Sequence, residues 1–457
     1  MIRSTISGCG LLIGMLLGPQ VAAQTTVLRV PVTVDTLDNG LTIIVHEDRS
    51  VPVVSVNVWY HVGSGDEKVG RTGFAHLFEH LMFMGSENAE YPAFDRLLEA
   101  AGADNNGSTT EDRTNYFEWG PATAMPLMLW LEADRMGWLL PTMTPDKVDL
   151  QRDVVKNERR QSYENQPYGL ATETILRMLY PSSHPYSWPV IGSMADLSAA
   201  STEDVKEFFR RYYAPNNASL VVAGDVNPTE VMQLARKYFG EIPRGPAIER
   251  GIAPNTSLPR DTVGVLEDRV QLPRVYDVWP TPPAFAPDDA ALELLAYLLT
   301  GDKTSRLTQA LVYDKQIASS VSSYQDGMRL AGQFWIVATA RPNHTLAEVQ
   351  PVIEDELRRL ATEGPSAREM EQAMNATETD MLRQLEAVNR KADMLNSYYV
   401  RTGTADGFAA DLARYRAVTA ADIQRVTERY LLAPRVMLSV VPQGKPELAA
   451  AANGGTP

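Results

Sequence analysis

The sequence predicts an α+β fold of two homologous domains, each a mainly antiparallel β-sheet packed with α-helices, joined by a linker. Three observations predict it. Asp204-Val205, Arg211-Tyr212-Tyr213-Ala214-Pro215 and Leu220-Val221-Val222 are echoed by Asp422-Ile423, Arg429-Tyr430-Leu431-Leu432-Ala433-Pro434 and Val436 to Val441, a period of about 218 residues that signals a duplicated domain and not a solenoid. Strand and helix patterns follow one another from a strong hairpin signal, Asp38-Asn39-Gly40, onward. Between the halves, Pro243, Gly245, Pro246, Gly251, Pro254 and Pro259 punctuate residues 241–262, which carry no apolar period.

Residues 1–23 read as a signal peptide. Met1-Ile2-Arg3 supplies the positive start, Gly10 to Leu17 an apolar run too short to span a bilayer, and Val21-Ala22-Ala23 a small-residue cleavage site. The mature chain is therefore expected to be exported, periplasmic or secreted. Cys9 precedes the apolar run, which argues against lipid attachment; as the only cysteine, its removal leaves neither a disulfide nor a thiolate ligand. About 430 residues remain, ample for two cores. The expected division is a first domain at 24–240, the linker at 241–262, a second domain at 263–444 and a flexible tail at 445–457. A net charge of -15 argues against nucleic acid or an anionic membrane as partner. After the signal no segment of about 18 apolar residues follows, so no stable membrane insertion is expected.

In the first domain, Val32 to Thr36 and Leu41 to Val45 flank the hairpin turn, and Val53 to Tyr60 alternates as a strand. Then comes Gly73-Phe74-Ala75-His76-Leu77-Phe78-Glu79-His80-Leu81-Met82-Phe83-Met84-Gly85, read as a helix. Phe74, Leu77, Phe78, Leu81 and Met82 give it an apolar face. On the other side His76 and His80 stand at i and i+4, with Glu79 between them. Two imidazoles one turn apart can both reach a tetrahedral zinc ion, while the carboxylate stands where it can take a proton from water. The competing reading is a core helix with incidental histidines; with six histidines in 457 residues, this spacing rarely arises by chance.

A helix near 91–101 leads to strands at 103–110 and 114–119, joined by a turn at Glu111-Asp112-Arg113. Helices are expected at 122–138, 145–163, 202–213 and 228–239, with a strand at 218–224. On the helix at 145–163, Val148, Gln151, Val154 and Val155 place Glu158 on a buried stripe. A carboxylate there is costly unless paired or bound to a cation, which makes Glu158 the third ligand candidate, with a buried ion pair to an arginine as the competing reading.

The order His-x-x-Glu-His is the inverzincin pattern. Together with Gly65-Asp66-Glu67 and Asp153-Val154-Val155-Lys156-Asn157-Glu158-Arg159-Arg160-Gln161, it resembles the pitrilysin or insulinase family (peptidase family M16), most of all its short bacterial and mitochondrial-processing-peptidase-like members. The resemblance covers nearly the whole mature chain. It implies a zinc metalloendopeptidase with one zinc ion per chain, held by His76, His80 and Glu158, and with Glu79 as general base. It also implies that the polar strand carrying Asn105, Asn106, Gly107 and Ser108 is the edge to which an extended substrate adds. Peptides or unfolded segments enclosed between domain pairs are the implied substrates. Members often carry a second glutamate seven residues before the third ligand; here that place holds Gln151, which can support a ligand but cannot act as an anionic one.

In the second half, laying Gly301 on Gly85 puts Leu292, Leu295 and Ala296 where the first half has His76, Glu79 and His80, so no second metal is expected. In family members whose C-terminal half completes the active site, the segment resembling Ser305 to Leu311 continues with an Arg and, seven residues later, a Tyr that grip the substrate carbonyl. Val312 and Ser319 stand there instead. Resemblance to the split heterodimers implies a sister subunit that supplies the Arg/Tyr pair. The rival reading is a non-catalytic scaffold or peptide-binding subunit of the same fold. His46, His61, His184 and His344 read as structural or solvated, and Met370, Met374 and Met381 as core or interface.

Overall fold

The computed structural model describes residues 29–251, 254 and 256–450. The expected signal peptide lies outside them, as do residues 451–457 of the expected tail. Two sheets form the chain. The first joins β1 (Thr33–Thr36), β2 (Thr42–Glu47), β3 (Val53–Tyr60), β4 (Asp104–Thr109), β5 (Thr114–Pro121) and β6 (Ala218–Gly224) in the order β1-β2-β6-β3-β5-β4. The second joins β7 (Thr262–Asp268), β8 (Arg274–Thr281), β9 (Ala318–Gly327), β10 (Gly332–Ala340) and β11 (Val436–Pro442) in the order β7-β11-β8-β10-β9. Setting β1 aside, the two orders are the same. In each sheet one pair is parallel, β2 with β6 and β7 with β11, and the remaining pairs are antiparallel. The duplication read from the sequence is thus a duplication of topology.

Helices of the first half are α1 (Phe74–Leu81), α2 (Ala93–Ala100), α3 (Met125–Trp138), α4 (Pro145–Arg159), α5 (Ala171–Leu179), α6 (Met194–Ala199), α7 (Thr202–Tyr212) and α8 (Pro228–Phe239). Those of the second are α9 (Asp289–Thr300), α10 (Leu346–Glu363), α11 (Ala367–Arg383), α12 (Val388–Thr402), α13 (Phe408–Arg416) and α14 (Ala420–Val426). Their starts follow cap chemistry: Thr144 caps α4 ahead of Pro145, and Asn227 caps α8 ahead of Pro228. The repeated motif carries the same cap twice. Ser201 with Asp204 and Thr419 with Asp422 each form a capping box, at α7 and α14. The helix expected to run to 163 ends at Arg159 and continues as a wider π turn, Arg160–Glu164.

Each half lends the other a helix. From the first half, α5 lays Ile175, Leu176 and Leu179 on Val278, Val436 and Leu438 of the second sheet. From the second, α12 lays Ala392 and Leu395 on Ile44, Val221 and Ala223 of the first. This exchange sandwiches both sheets, since the opposite face of the first sheet packs Val54, Val56 and Val58 on α1 and α3. Met370, Met374 and Met381 pack on the second core. Residues 243–261 carry no helix or strand where they are described, and within the expected tail Ala450 is buried and donates its N–H to Ser439 Oγ at 3.1 Å.

A buried ionic group lies under β5. Arg135 of α3 reaches Glu118 Oε1 at 3.0 Å and Glu132 Oε2 at 2.9 Å, and its guanidinium stacks 4.4 Å over Tyr116 and 4.5 Å over Phe94. All three charged side chains are shut off from solvent. Arg135→Met would leave two carboxylates buried without their cation, and burial already pushes Glu118 well above its ordinary range. The expected loss is about 3–5 kcal/mol, read from the denaturant midpoint; an unchanged midpoint would contradict this account.

Candidate metal centre

The site is built on α1. Its N-cap, Gly73, sits at φ +88°, and a Cβ there would lie 2.8 Å from Ile191 O, so both backbone conformation and space require glycine. The helix N-terminus is held by Glu67, whose Oε2 accepts from Gly73 N at 2.9 Å and Oε1 from Ala75 N at 2.8 Å. Burial pushes Glu67 up to about 8 against the pull of those N–H groups. Phe74, Leu77, Phe78 and Leu81 go into the core, which turns His76 and His80 to the opposite side.

The two imidazoles lie at right angles, with centroids 4.9 Å apart. Glu158 of α4 closes the group: Oε1 is 3.7 Å from His76 Nε2 and Oε2 is 3.3 Å from His80 Nε2. Among the described residues this is the one set of three candidate ligands whose atoms all lie within 4.8 Å of one another. Two imidazole nitrogens and a carboxylate are donors that suit zinc. Burial pushes His76 down to about 4, keeping it in the neutral form that ligates. The His80 hydrogen bond pulls Glu158 down, and Glu158 outweighs burial to raise His80. His76 Nδ1 is buried without a hydrogen-bond partner among the described residues.

Glu158 does not lie on a buried stripe of α4, as its spacing from Val154 suggested. Val148 and Val155 are buried, but Val154 is 40% exposed and the Glu158 side chain 39% exposed. Glu158 is partly exposed, and among the described residues its partners are the two histidines and no arginine. Gln151, two turns before Glu158 on α4, hydrogen-bonds His80 and reaches Met84 Sδ at 2.8 Å, a supporting position.

Glu79 lies beside the group, and burial raises its carboxyl although Thr109, His80 and Arg113 pull it down. Thr109 Oγ1 donates to Glu79 Oε2 at 2.6 Å. Two positions earlier, a Cβ on Gly107 would lie 3.2 Å from Glu79 Cγ, so glycine lets β4 approach the carboxylate. β4 is the last strand of its sheet, paired only with β5. Along it Asn105 Nδ2 donates to Asp95 at 3.2 Å, Asn106 Oδ1 accepts from Gly107 N at 2.8 Å, and Ser108 Oγ donates to Asn115 Oδ1 at 2.6 Å. Thr109 escaped the reading of the sequence, although period-2 alternation from Gly107 could have found it. Glu67, read only as part of the family motif, was given no role, because a cap seven residues ahead of its helix has no periodic signature.

The other histidines stay apart from the centre. His46 bonds Pro31 O, His61 bonds Ser219 Oγ, His184 stacks on Tyr180 and His344 pairs with Glu348. In the second half Leu292, Leu295 and Ala296 are buried on α9, Val312 packs on the core and Ser319 Oγ donates to Thr339 O.

Two family profiles match this chain: residues 42–184 fit "Insulinase (Peptidase family M16)" and residues 199–377 fit "Peptidase M16 inactive domain". A relative named zinc protease PqqE, from Helicobacter pylori, is 30% identical over 401 residues, covering 86% of this chain and 89% of the relative. The crystal structure of a protease from Helicobacter pylori superposes with a TM-score of 0.83 at 27% identity, over 91% of this chain and all of that one. That of the periplasmic protease PqqL from Escherichia coli gives 0.74 at 18% identity, over 92% of this chain and 49% of that one, a likeness of fold.

Proposed function

We propose that this chain, which belongs to the insulinase family of peptidases (family M16), is an exported zinc metalloendopeptidase that hydrolyses peptides or unfolded segments, as the catalytic subunit of a heterodimer. The observation that carries the reading is the convergence of His76, His80 and Glu158 within 4.8 Å, with Glu79 beside them against an open sheet edge. Zinc held by these three residues would supply Lewis acidity to the scissile carbonyl and to water. Glu79 takes a proton from the attacking water and delivers it to the leaving amine. Burial, which raises its carboxyl, favours that exchange. The free edge of β4, at Asn105 to Ser108, offers main-chain N–H and C=O groups to an extended peptide, fixing the bond to be cut beside Glu79. A cavity of about 220 Å³ lined by Phe83, Met84, Tyr91 and Gln151 opens next to Glu79 and His80, with room for a side chain.

The heterodimer rests on what the second half lacks. Val312 has no side-chain donor, and Ser319 is short and turned to Thr339 O, so neither can steady the developing oxyanion. No helix among the described residues is long and apolar enough to cross a membrane. The test is cleavage of a mixed peptide library by the zinc-loaded chain, alone and with any sister chain that co-purifies. Cleavage only with the sister chain is expected. Cleavage by the chain alone would overturn the heterodimer, and none in either case would overturn the peptidase.

A further inference from the structure

Asp393 lies on α12, far from the metal centre in sequence and on the other face of the first sheet. Its Oδ1 accepts from Trp59 Nε1 at 2.8 Å, Asn115 Nδ2 at 2.9 Å and Asn57 Nδ2 at 3.4 Å. A carboxylate oxygen that takes three donors orients each of them, and for Asn115 the consequence is specific. With its NH2 committed to Asp393, the Asn115 carbonyl must point along the sheet to β4. There it accepts from Ser108 Oγ at 2.6 Å and from Arg113 Nη1 at 3.2 Å. The same Arg113 Nη1 donates to Ser108 O at 2.7 Å and to Ser108 Oγ at 2.7 Å. Ser108 O belongs to the peptide plane that joins Ser108 to Thr109, so its bond to Arg113 sets the orientation of that plane.

Alternation along β4 then carries the constraint through the sheet. Ser108 pairs with Asn115 on the α12 face, whereas Thr109 pairs with Thr114 on the α1 face, where its hydroxyl holds Glu79. Without an acceptor at 393, the Asn115 NH2 loses the bond that fixes its amide, and the carbonyl that accepts from Arg113 Nη1 and Ser108 Oγ is no longer held in place. The plane at 108–109 would keep Arg113 but lose the group that steadies it.

We propose that Asp393 is a positioning residue: the second half, which has no candidate metal centre among its described residues, sets the edge strand and the base of the first through Asp393, Asn115, Arg113, Ser108 and Thr109. For its kinetic consequence this rests on the function proposed above; the coupling itself does not.

The test uses the zinc-loaded full chain, with its sister chain where one is needed. Asp393→Ala is expected to speed amide hydrogen exchange across residues 104–109 by roughly tenfold, as a locally loosened strand does, with zinc content unchanged. It should lower kcat/KM for a peptide by about tenfold, through KM as well as kcat, since strand and base are misplaced together. Asp393→Asn keeps an acceptor oxygen at the same place and should restore both readouts to near the wild-type values. Should Asp393→Ala fail to fold, Ser108→Ala, at the half-exposed strand, should give the same faster exchange at 104–109. Exchange at 104–109 unchanged in the folded variants would overturn the proposal, as would an Asp393→Asn chain as impaired as Asp393→Ala. A wild-type chain that cleaves nothing, while Asp393→Ala still loosens 104–109, would sink the peptidase reading and uphold the coupling.

Discussion

Glu79→Gln is expected to keep zinc and peptide binding and to lose turnover by about 10²–10⁴-fold. The substitution is close to isosteric, and the amide oxygen can still accept the Thr109 hydroxyl, which now bonds Glu79 Oε2 at 2.6 Å. Geometry at the edge strand should therefore survive, as should the close contact with Gly107. What disappears is the capacity to take up a proton, which no other side chain beside the centre can replace: Gln151 has no basic oxygen, and the imidazoles of His76 and His80 face Glu158. The measurement is kcat and KM on a defined peptide, with zinc content by elemental analysis. An active, zinc-loaded Glu79→Gln chain would contradict the role given to this residue.

Glu158→Gln should abolish zinc binding. Its two oxygens face one histidine each, at 3.7 and 3.3 Å, and it is the only anionic member of the group. A neutral amide in its place leaves the cation without charge compensation and with one donor fewer. Zinc present at 100 times its dissociation constant stabilises the folded wild-type chain by about 2.7 kcal/mol, so a chelator should lower its melting temperature by several degrees. The variant should melt at one temperature with or without chelator. A chelator-sensitive melt in Glu158→Gln, with one zinc per chain, would remove Glu158 from the ligand set.

The parts of this site that lie close together in sequence were legible from it. His76, Glu79 and His80 occupy a single helix whose apolar side is written in the same thirteen residues, so spacing alone turned them to one face. The edge strand was expected from the family resemblance of its polar residues, and β4 does end its sheet. Glu158 was found for a partly mistaken reason. Val154 and Glu158 differ by four positions and share a helix face, but that face is partly exposed; burial of Val148 and Val155 is the neighbouring stripe.

What stayed hidden is long-range. An amphipathic pattern tells that α12 buries a face, not that it crosses from the second half to lie on the first sheet, so the bond from Asp393 to Asn115, 278 residues apart, had no local sign. The same holds for α5 on the second sheet. The buried group at Arg135 was missed for another reason: Glu132 and Arg135 sit three apart on α3, a spacing that usually marks a solvated pair, and only the packing of Tyr116 and Phe94 shuts it away.

Dependence of peptide hydrolysis on a zinc ion held by His76, His80 and Glu158 is tested most directly by peptide cleavage before chelation, after it, and after zinc alone is returned, using the chain with its sister subunit where one is required. Loss on chelation and recovery with zinc is the predicted result. Cleavage that persists through complete removal of the metal would contradict it.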